Sequence, residues 1–91
     1  MTKTQFQTVR NVLRWAGIGV MVSAQRVDEA LHAISNLPRN DQRADLVRTA
    51  LVSLRSGIML PQRECVLAEK NLEVFFEMEQ EADAGMESDH V

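Results

Sequence analysis

Apolar residues return every three or four positions along most of the chain, and glycine and proline stand mainly where that rhythm breaks. A period near 3.6 marks amphipathic helices, and four such stretches follow one another. Phe6, Val9, Leu13, Ala16 and Val20 make the first, with Val12 and Trp15 beside them. It is predicted to start near Thr4 and to end about Gly17 and Gly19, because each glycine costs roughly 1 kcal/mol in a helix interior. The alternative is a continuation through Ile18–Val22. Ser23 is placed to cap a second helix carrying Ala24, Val27, Ala30, Leu31 and Ile34. Asn36-Leu37-Pro38 ends it, since the residue before proline is pushed out of the helical region.

Asn40 is the expected cap of a third helix, with Asp41 and Asp45 near its positive end and Arg55 near its negative end. Leu46, Val47, Ala50, Leu51 and Leu54 are its apolar positions. Gly57 supplies a left-handed residue after it, and Pro61 takes the first position of a fourth helix. With two Pro, four Gly and no Tyr, a turn-rich β design is excluded in favour of an all-α fold. The expected architecture is a four-helix antiparallel hairpin array or bundle. Residues 1–84 form a single helical domain, and residues 85–91 an acidic tail with little to bury, expected to be disordered.

A chain of 91 residues buries only about 60% of the surface its unfolded form exposes. A homodimer or heteromer would complete its core. The single cysteine, Cys65, makes no internal disulfide, and no N-terminal stretch reads as a cleaved signal, so a reducing cytoplasm is the expected location. The longest apolar stretch, Ala16 to Val22, is about a third of the ~20 residues a membrane-spanning helix needs. The net charge of −3 hides an asymmetry: residues 1–63 carry nine Lys/Arg against four Asp/Glu, and residues 64–91 carry one against nine. Such a division points to a charged partner or to self-complementary packing.

The acid is concentrated on the fourth helix. There Cys65, Ala68, Leu72, Phe75 and Phe76 make one apolar face, and Leu67, Val74 and Met78 a second. Glu69, Glu73, Glu77 and Glu81 stack along one edge at a spacing of four. Like charges so placed oppose the helix by roughly 0.2–0.5 kcal/mol per pair. The column is either a solvated face, a dock for the chain's own Arg10, Arg14, Arg48 or Arg55, or a match for a basic partner. With one apolar face in the core, the other is free for a partner. The residues expected to touch a partner are Leu72, Phe75, Phe76 and Met78, with Glu69, Glu73 and Glu77 steering a basic one.

Catalytic and metal-binding sets are thin. His32 and His90 have no second His or Cys at ligand spacing, and Gly17-Ile18-Gly19 lacks the third glycine and the strand of a dinucleotide loop. Cys65 lies on an apolar face and reads as a buried small hydrophobe. No enzyme, metal or cofactor is expected. Lys3, Arg10, Arg14, Arg26, Arg39, Arg43, Arg48 and Arg55 are spread over three helices without interleaved aromatics, which disfavours nucleic acid as a partner.

Leu37-Pro38-Arg39 and Leu60-Pro61-Gln62-Arg63 are similar openings that hint at a repeated hairpin. Trp15, Gly19 and Ala24, followed by Leu46, Ala50 and Gly57, resemble the large, small and turn residues of tetratricopeptide hairpins over residues 9–60. On these residues the chain resembles the small tetratricopeptide-type chaperones that hold needle subunits of bacterial type III secretion systems. That resemblance implies an all-helical, acidic, cytoplasmic chaperone cradling an aggregation-prone secreted subunit, often with a second small co-chaperone. The expected function is a protein-binding module, chaperone or inhibitor, that receives an amphipathic helix of a partner. The alternative is a small helical transcriptional or nucleic-acid-binding regulator whose acidic helix modulates it.

Overall fold

Four helices form where the periodicity places them: α1 Lys3–Gly17, α2 Ala24–Ala33, α3 Gln42–Arg55 and α4 Gln62–Asp89. This computed structural model describes residues 1–89, with side chains through Glu81, and holds no strand among them. Thr2 opens α1 with a capping box: its hydroxyl accepts from the Gln5 N–H, and the Gln5 side chain accepts from the Thr2 N–H at 2.8 Å. Ser23 caps α2 by accepting from the Arg26 N–H.

The cap of α3 is Asp41 and not Asn40. Its carboxylate accepts the Arg43 N–H at 2.9 Å and also pairs with the Arg43 guanidinium, so one side chain satisfies a free backbone donor and a charge together. Those bonds hold the Asp41 carboxyl below its usual range, the Arg43 side chain contributing most. Pro61 stands just outside α4, its carbonyl accepting from the Glu64 and Cys65 N–H groups.

Both α1 and α3 end in the same way. The Val20 N–H reaches back to the Trp15 carbonyl and the Gly19 N–H to that of Ala16, while Ile58 and Gly57 repeat the pattern on Ser53 and Leu54. These are Schellman motifs, which need a left-handed residue, and Gly19 and Gly57 have φ of 84° and 83°. Val20 therefore leaves the helix that its periodicity assigned it to. α2 stops at Ala33, and Ile34 and Leu37 continue as a turn that still plugs the core. The Arg48 guanidinium donates to the carbonyls of Leu37 and Pro38, sealing that turn.

Short connections make sequence neighbours antiparallel. α1 packs on α2 and α4, and α3 packs on α2 and α4, so the main contacts close a ring. The molecule is thus a four-helix bundle. Its core draws on every helix, through Leu13, Ile34, Leu51 and Leu72 among the fully buried side chains.

Exchanging α1 with α3 and α2 with α4 leaves the ring unchanged, as a twofold axis along the bundle requires. The residues agree at a shift of 38, the distance from Gly19 to Gly57. Val9 matches Val47, Leu13 matches Leu51, Val27 matches Cys65, Ala30 matches Ala68, Ile34 matches Leu72 and Leu37 matches Phe75. All twelve are buried. The pattern of buried residues thus recurs in register with the glycines and not with Pro38 and Pro61.

α4 runs on through Gly85 to Asp89. Residues 85–89 of the expected disordered tail fall within this helix, and His90 and Val91 lie outside the described residues.

Candidate functional site

The four apolar residues expected to meet a partner do not share a surface. Leu72 is 0% exposed and Phe75 6%, so both belong to the core and are withdrawn as contacts. Their faces point inward because α4 is gripped on two sides, by α1 and by α3. Phe76 is half-buried and stacks on Phe6 of α1, ring centroids 4.4 Å apart. Of the four only Met78, 50% exposed, is open to water, on the same helix as the exposed Val66 and Leu67.

The glutamate column is split. Glu69 is largely buried and accepts from Arg14 Nε at 2.6 Å, so its charge is answered within the chain. Glu73 is half-buried, Glu77 and Glu81 are exposed, and Glu79 beside them pairs with the amine of Met1. The other arginines named for the column are used elsewhere. Arg48 pairs with Asp45, Arg55 donates to Asp28 at 2.7 Å, and the Arg10 guanidinium lies 5.3 Å from the centre of the Phe6 ring. A steering role for Glu69 is thereby removed, while Glu77 is exposed and has no ion-pair partner among the described residues.

A cluster of exposed apolar side chains lies at one end of the bundle, where the two Schellman loops come together. Ile18, Val20 and Met21 project from the first loop and Ile58 and Met59 from the second, with Met21 94% and Met59 74% exposed. Between the loops is a cavity of about 370 Å³ floored by Ala16, Val22, Leu54 and Leu60. Its size suits an inserted apolar side chain or small ligand. Methionine's unbranched, polarizable chain adapts to varied shapes, which makes paired methionines good walls for such a site. The signal was available in the sequence as Gly19-Val20-Met21-Val22 and Gly57-Ile58-Met59-Leu60, the same four-residue pattern twice. Helical periodicity misses it because the residues lie beyond the helix ends.

A smaller cavity, about 230 Å³, opens between α1 and α4 beside Trp15 and Ile18, with the Arg14–Glu69 pair in its wall. Cys65 lies beneath it, buried, and burial, with Glu64 adding to it, pushes the thiol above its ordinary range. A neutral, covered thiol is a poor nucleophile. Among the described residues, no three His, Cys, Asp or Glu gather to hold a metal ion, and no helix is long and apolar enough to cross a membrane. No family model matches the chain, and comparison with curated proteins and with solved structures finds no match.

Proposed function

We propose that the chain is a protein-binding module, a chaperone or an inhibitor, that receives an amphipathic helix of a partner at the apolar end of the bundle. One observation carries this reading: two equivalent loops hold large apolar side chains in water around a single cavity. Val20 and Ile58 have a part in the fold, since an apolar residue at that position accompanies a Schellman cap. Met21 and Met59 have none, being the most exposed large apolar residues of the described chain. An apolar cluster that the fold does not need marks an interaction site. A helix crossing the cavity would place one anchor in it and neighbours three or four residues away against the methionines. If the likeness to needle-subunit chaperones extends to function, the partner is an aggregation-prone secreted subunit.

A role in nucleic-acid binding draws less support, because Arg43 and Arg48 are tied to carboxylates along α3 and the surface between the loops is an apolar cavity with Arg55 its one charged lining residue. The test is capture of a partner from the native host by the wild type and by the double variant Met21→Glu, Met59→Glu. Both positions are exposed, so the variant should keep its helix content and melting temperature while losing the partner. Capture that survives the double substitution would overturn the proposal.

A further inference from the structure

Building on that reading, we infer that the helix received at this end is acidic on the sides flanking its apolar stripe. Arg55 is the one charged side chain lining the cavity between the loops. The four helix turns that abut the loops extend the same sign. Arg14 lies in the last turn of α1 and Arg55 in that of α3, with Arg26 in the first turn of α2 and Arg63 in that of α4. Glu64 is the only carboxylate in those four turns.

Two carboxylates offset part of this charge but leave hydrogen-bonding capacity open. Glu69 and Asp28 each take the Nε of their arginine, Arg14 and Arg55, and leave the terminal guanidinium nitrogens without a partner among the described residues. Arg26 lies over the Trp15 ring at 5.2 Å, and neither it nor Arg63 has a carboxylate within 4.0 Å among the described residues. Guanidinium N–H groups so disposed fit carboxylates, two at a time where geometry allows.

The net charge of −3 does not contradict an acidic partner. Glu77 lies fifteen residues along α4 from Gln62, which at about 1.5 Å per residue is more than 20 Å away. Screening at physiological salt reduces charges beyond about 8 Å, so an incoming segment senses the arginines and not the acidic far end of α4. The same arginines disfavour two copies meeting end to end through this surface.

Three synthetic amphipathic helices of about four turns, with one identical leucine stripe and Glu, Gln or Lys elsewhere, test the inference. Trp15, the only tryptophan, supplies a fluorescence signal beside the first loop. The Glu peptide should bind about tenfold more tightly than the Lys peptide at low salt, with the gap closing as salt rises. Arg55→Gln and Arg63→Gln should each weaken the Glu peptide by about two- to fivefold and leave the Gln peptide unchanged. Asp28→Asn, which releases Arg55, should strengthen the Glu peptide alone. Equal binding of all three peptides would overturn the acidic assignment and leave the apolar docking site standing. Failure of all three, with wild-type folding intact, would overturn both. Self-association that disappears on truncation after Glu81 would make the occupant this chain's own acidic helix end, and so refute a separate partner.

Discussion

Gly57→Ala isolates the backbone cost of a left-handed helix cap, because nothing else at that position opposes a methyl group. The residue sits at φ +83°, and a Cβ added there meets no atom within 4 Å. Packing neither gains nor loses, so the penalty is that of an L-residue forced into the left-handed region, about 1–2 kcal/mol. The alternative is to abandon the Schellman bonds from Gly57 to Leu54 and from Ile58 to Ser53, at a comparable cost. For a domain of this length about 1 kcal/mol lowers the melting temperature by roughly 4–8 °C. Gly19 has the same geometry and the same empty surroundings, so Gly19→Ala should cost the same within about 0.5 kcal/mol, and the double variant should show the sum. Gly17 provides the contrast. It is helical, so alanine gains less than about 1 kcal/mol in propensity, yet its Cβ would lie 3.3 Å from the Cβ of Cys65, an atom that moves only with the backbone of the opposing helix. Overpacking of this kind costs about 1–3 kcal/mol, and the net change should be destabilising. Circular dichroism melts of the four variants decide the matter. A neutral Gly57→Ala, or a difference of 2 kcal/mol between the two caps, would refute the reasoning.

Leu72→Ala should cost about 2–5 kcal/mol in urea unfolding, a large part of a total near 5–14 kcal/mol, whereas Met78→Ala on the same helix should change stability by less than about 0.5 kcal/mol. Asp41 is held ionised by Arg43, so its stabilisation is complete above the ordinary carboxylate pKa near 4 and is lost as pH falls through the lowered folded value. Asp41→Asn keeps a good cap and should flatten the acid limb of a stability profile below about pH 4. The Cys65 thiol should resist a thiol reagent at pH 8 in the native protein and react at once in denaturant, and fast native labelling would contradict its burial.

Much of the fold was legible because helix signals are local. The three- and four-residue spacing located all four helices, Ser23 was recognised as a cap from its side chain alone, and Gly57 as a left-handed stop. What failed was what locality does not hold. Asn40 and Asp41 are both competent caps, and only the pairing of Asp41 with Arg43 separates them. α4 is apolar on more than one side, so its own spacing does not tell which face the neighbours cover. Leu72 and Phe75 were therefore offered to a partner when α1 and α3 enclose them. Aligning the chain on itself at the glycines would have corrected this, since it pairs Leu72 with Ile34 and Phe75 with Leu37. The apolar loops went unread because a search for periodic faces passes over residues that belong to no face. Of the charge column, the docking of Glu69 on Arg14 was foreseen as one alternative among several.

The twofold arrangement also makes the covalent order of the two hairpins incidental. Since the Met1 amine touches Glu79, the start of α1 lies beside α4 where it passes the end of the bundle. A linker from there to Met1, with a new opening between the exposed Arg39 and Asn40, would yield a chain that runs α3, α4, α1, α2. Every buried partner would be kept and the two methionine loops would still face each other across one cavity. The bundle is in this sense two interlocked hairpins that share one chain, and the site they form belongs to neither alone.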